Sequence, residues 1–150
     1  MKLLAMMLLG FCLPILLWAQ SGFRGGKLQS LRPATGSSQL SGRSVELVDE
    51  SEPEAKRHAF RIYVVGPNGD SLDLKEVESW SVEWRTSSKS GRLQDDLKSE
   101  KAAAEKEGGP VYSFLATGDL PDDPDVIVEV TLSFHGSRGA GVANFSGLID

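Results

Sequence analysis

One short stretch near the C-terminal end constrains the fold more than any other. In residues 126–135 the side chains of Val126, Val128, Val130, Leu132 and Phe134 alternate with those of Ile127, Glu129, Thr131, Ser133 and His135. Successive side chains of an extended strand point to opposite faces, so this stretch has one apolar and one mostly polar face. Such a strand belongs in an antiparallel sheet, with one side on a core and the other in water. Its Val and Thr content suits a pleated backbone.

The same period recurs upstream. In residues 58–66, Phe60, Ile62 and Val64 share a face opposite Arg61 and Tyr63. That run stops at Gly66-Pro67-Asn68-Gly69-Asp70, where proline fixes φ and Asn-Gly accepts positive φ. In residues 79–87, Trp80, Val82 and Trp84 oppose Ser81, Glu83 and Arg85. Residues 111–117 and 142–149 predict two less sharply patterned strands, and residues 44–48 open the sheet with Val45 and Leu47. Residues 93–107 lack proline, glycine and β-branched residues and include Ala102-Ala103-Ala104, which predicts a helix. Its apolar stripe is narrow (Leu93, Leu97, then alanines), so the helix is expected on the surface, ended by Gly108-Gly109-Pro110.

The expected fold is therefore mostly β: an antiparallel immunoglobulin-like β-sandwich over residues 44–150 with one inserted surface helix. Phe60, Ile62, Trp80, Trp84, Val128, Leu132 and Phe134 are the expected core. The chain lacks a Cys–Trp–Cys pattern, so the expectation concerns architecture and not descent.

The N-terminal part reads differently. Residues 1–19 carry Lys2, an apolar run over 3–18 and a small Ala19, the layout of a secretory signal peptide that directs the chain to the periplasm or outside the cell. Pro14 and the run's shortness weigh against an uncleaved anchor. Phe11 before Cys12 weighs against a lipoprotein. Cys12 is the single cysteine, so a cleaved chain has no disulfide and no thiolate chemistry. Residues 20–43 are rich in Ser and Gly, carry Arg24, Lys27, Arg32 and Arg43, and hold no acid; they read as a flexible basic linker.

Charge limits the partners. Residues 44–150 hold 21 acidic residues against 11 basic ones, the 16 of the chain less Lys2 and the four of the linker. A body so acidic is not expected to bind nucleic acid through backbone phosphates or to favour an anionic membrane surface. After signal removal no transmembrane segment is expected. The expected partner is another envelope or extracellular protein.

Catalytic patterns are sparse. There is no Gly-x-Ser-x-Gly elbow, and His58 and His135 are the available imidazoles. Gly139-Ala140-Gly141-Val142-Ala143-Asn144 lacks the last glycine of a dinucleotide fingerprint and precedes a β-like stretch, so it reads as a hairpin turn. Glu83 and Glu129 stand on polar faces of predicted strands, where carboxylates ordinarily serve solubility; a pair about 5–10 Å apart can also cleave a glycosidic bond.

Two further features carry alternatives. Asp119, Asp122, Asp123 and Asp125 pack four carboxylates into seven residues. The loop reads as a proline-stiffened turn, and it is where calcium would bind, that being the one cofactor the sequence suggests. Trp80 and Trp84 lie about 13 Å apart on one strand face, at ~3.3 Å per residue. Val82 between them favours the core; exposed, the pair would make a platform for a carbohydrate or another small ligand. The function expected is that of an exported, non-enzymatic β-sandwich acting by protein–protein binding or as part of an envelope assembly.

Overall fold

The computed structural model describes residues 22–34, 42–54, 56–96 and 112–149. The strands are Lys27–Ser30 (β1), Arg32–Pro33 (β2), Ser44–Asp49 (β3), Arg57–Val65 (β4), Val77–Arg85 (β5), Ser90–Arg92 (β6), Gln94–Asp96 (β7), Phe114–Asp119 (β8), Ile127–Phe134 (β9) and Ala140–Phe145 (β10). They form two antiparallel five-stranded sheets, ordered β1-β3-β4-β8-β7 and β2-β10-β9-β5-β6. We call these sheet A and sheet B. A 3-10 turn, Leu74–Glu76, leads into β5 and is started by the Asp73 carboxylate, which accepts the Lys75 N–H at 2.9 Å.

The period-two pattern explains the layering. From sheet A, Val45, Leu47, Phe60, Ile62, Val64, Phe114 and Ala116 face inward; from sheet B, Val82, Val128, Val130, Leu132, Phe134, Ala143 and Phe145 do so. All belong to one buried cluster, so the fold is mostly β and sandwich-like. Trp80 and Trp84 are half-buried and pack against this cluster from the inner face of β5. Gly91 of β6 leaves room for the Trp84 indole: a Cβ there would stand 2.6 Å from the ring.

Two expectations meet a different outcome. Residues 94–96, placed by composition in a helix, are strand β7, paired with β8 through Gln94↔Thr117, Asp95↔Ala116 and Asp96↔Leu115. Leu93 is buried between the sheets, and its N–H donates to the Val82 carbonyl at 2.9 Å. Helix propensity is a weak prior, and here an open sheet edge and a buried leucine outweigh it. Residues 97–107 of that expected helix, and the signal peptide at 1–19, lie outside the described residues.

The second concerns the stretch read as a linker. Its residues 27–30 pair with β3, its residues 32–33 pair with β10, and Leu31 between them is buried. One short segment thus closes an edge of each sheet. Three of its cations are engaged with the body. Arg24 reaches Glu46; Lys27 donates to the carbonyls of Ser146 and Gly147 at 2.6 and 2.7 Å; Arg43 lies 4.2 Å over the Phe134 ring and 4.0 Å from Glu76.

Candidate functional site

Alternation places Ser79, Ser81, Glu83 and Arg85 on the outer face of β5, and Ile127, Glu129, Thr131 and Ser133 on that of β9. Register decides which of them meet. Glu83 stands directly opposite Glu129, Ser81 opposite Thr131, and Ser79 opposite Ser133 with their hydroxyls hydrogen-bonded. Asn144 of β10 is the next residue beyond Glu129, and Arg92 of β6 the next beyond Glu83. Asn144, Glu129, Glu83 and Arg92 therefore form one row across four strands of sheet B.

Directly opposed side chains have Cβ atoms about 4.5–5.5 Å apart, and like charges so placed repel. Arg85 offsets one side, 3.8 Å from the Glu129 carboxylate, while Glu83 has no ion pair within 4.0 Å among the described residues. Around the carboxylates the face is small and hydroxylated, a surface well suited to hydrogen bonding with a second protein. Chemically, the pair can hold one cationic group between its oxygens.

A second feature lies at one end of the sandwich, where β8 runs into the acidic loop. Lys56, His58, Asp119, Leu120, Asp122 and Ile149 line a cleft of 480 Å³. The His58 ring stacks on Phe60, with centroids 6.0 Å apart and planes 9° from parallel. Its Nδ1 lies 3.4 Å from Ser51 Oγ, which also accepts the Ala59 N–H at 3.0 Å.

The four aspartates of the loop fall in two settings. Asp123 accepts the Asp125 N–H at 2.8 Å through its side chain, a local turn; Asp119 and Asp122 line the cleft. Among the described residues no three acidic, histidine or cysteine side chains group in a way that could hold a metal ion. His135 is exposed in the β9–β10 turn, apart from His58.

One buried polar residue escaped the reading of the sequence. Glu46 is 0% exposed, although it faces outward from sheet A. Its Oε1 accepts the N–H groups of Arg24 at 2.6 Å and Gly26 at 3.1 Å, and its Oε2 lies 3.4 Å from the Arg24 guanidinium. That guanidinium also sits 4.6 Å over the Tyr63 ring, and Tyr63 is the cross-strand neighbour of Glu46. Gly22 closes the other side, where a side chain would collide with the Glu46 carboxylate. The sequence signal was present: an arginine among glycines in a segment without acids.

No helix among the described residues is long and apolar enough to cross a membrane. The chain matches no protein-family model, no curated protein and no solved structure.

Proposed function

We propose that this chain is an exported, non-enzymatic β-sandwich module that binds another envelope or extracellular protein through the outer face of sheet B. The observation that carries the reading is the direct opposition of Glu83 and Glu129, offset on one side by Arg85, on a hydroxyl-rich face. In the isolated chain that pair opposes folding; a lysine or arginine from a partner, set between the two carboxylates, relieves it. The N-terminal signal pattern supports the extracytoplasmic setting.

Strand order supports an immunoglobulin-like reading as well. The run β10-β9-β5-β6 follows the G-F-C-C′ order of such domains, and β3-β4-β8-β7 follows A-B-E-D, with β1 as an extra strand at the edge beside A.

The test is capture from a native envelope extract, followed by the double variant Glu83→Ala/Glu129→Ala. The reading expects a captured protein that the variant loses and that moderate salt weakens. A partner retained equally by the variant, or cross-linked only to sheet A, overturns it.

A further inference from the structure

The cleft at the end of the sandwich has chemistry that the reading above does not use. Ser51 Oγ accepts a backbone N–H, so its own proton is available to His58 Nδ1. The imidazole lines the cleft and is oriented by Ser51 on one edge and by Phe60 on its face. Lys56 adds a cation to the same cleft.

Asp119 and Asp122 add two carboxylates, and neither pairs with Lys56 within 4.0 Å among the described residues. Leu120, Pro121 and Ile149 supply an apolar wall. Donors of positive character and acceptors of negative character thus share one space without neutralising each other. Its 480 Å³ falls within the usual size of small-molecule sites.

We propose that this cleft binds a small zwitterion, an α-amino acid with an apolar side chain. Its carboxylate takes the donors of His58 and Lys56, its ammonium the carboxylates of Asp119 and Asp122, and its side chain the wall of Leu120 and Ile149. A ligand with one charge satisfies half of this arrangement and leaves the other half unpaired on desolvation.

The test titrates the purified chain with leucine, and in parallel with N-acetyl-leucine and leucine methyl ester, followed by amide and imidazole NMR shifts. Saturable shifts at His58, Leu120 and Ile149 are expected, with each half-charged analogue weaker by about tenfold or more. Asp122→Asn and His58→Ala are each expected to weaken leucine by about tenfold while leaving the amide spectrum of β9 unchanged. No saturable shift up to about 10 mM leucine, or equal binding of all three probes, overturns the proposal.

Discussion

The Arg24 guanidinium and the Glu46 carboxylate form an ion pair on the outer face of sheet A, 3.4 Å apart, with the carboxylate fully buried. Arg24 and two backbone N–H groups surround that carboxylate and satisfy its oxygens. Taking away one partner leaves a charge without compensation. Arg24→Ala is expected to lower stability by about 3 kcal/mol. Arg24→Lys is expected to cost less, since the charge remains while the planar contact with Tyr63 is lost. Urea unfolding midpoints of the two variants, at unchanged slope, check both statements.

Removing the whole N-terminal segment has a different signature. A chain beginning at Gly42 lacks β1 and β2 and leaves β3 and β10 as open edges. Unpaired edge strands recruit other chains. Concentration-dependent association is expected, read by light scattering against the longer chain. A truncated chain that stays monomeric across the range would contradict it.

Gly91 lies where Trp84 meets β6. Gly91→Ala sets a methyl group 2.6 Å from the indole, so the ring must move. A loss of about 1–3 kcal/mol is expected, together with a red shift of tryptophan emission as the ring turns toward water. Parent emission is expected to be blue and unchanged by soluble glycans, consistent with two indoles packed against the core.

The Glu83–Glu129 opposition predicts a gain. Glu83→Thr removes like-charge repulsion and places a β-branched residue in the strand, and is expected to stabilise the isolated chain by about 0.5 kcal/mol. Salt screens exposed charges, so added salt is expected to raise the melting temperature of the parent more than that of the variant. An identical salt response in both contradicts the prediction.

The long strands were legible because large side chains mark every second position. Residues 126–135 became Ile127–Phe134, residues 58–66 became Arg57–Val65, and residues 44–48 became Ser44–Asp49. What alternation cannot supply is register. It put Glu83 and Glu129 on polar faces but did not say that they oppose one another, because neighbours across a sheet are set by turns and core packing. The short edge strands escaped for a related reason. Of β1 and β2 and the residue joining them, Leu31 alone is buried, and the rest is held by backbone pairing that leaves no mark on composition. Residues 94–96 are too few to show any period. Glu46 was legible as outward-facing, yet its burial depends on Arg24, some twenty residues away in a segment that composition marks as loose.

The passage of the chain from one layer to the other at Leu31 also has a mechanical consequence. Tension applied at Gly22 reaches the Glu46 anchor first, then the rungs of β1, and only afterwards β2 on the opposite layer. A molecule hauled from its leading end therefore resists in series, yielding one fastening at a time before its hydrocarbon interior is disturbed.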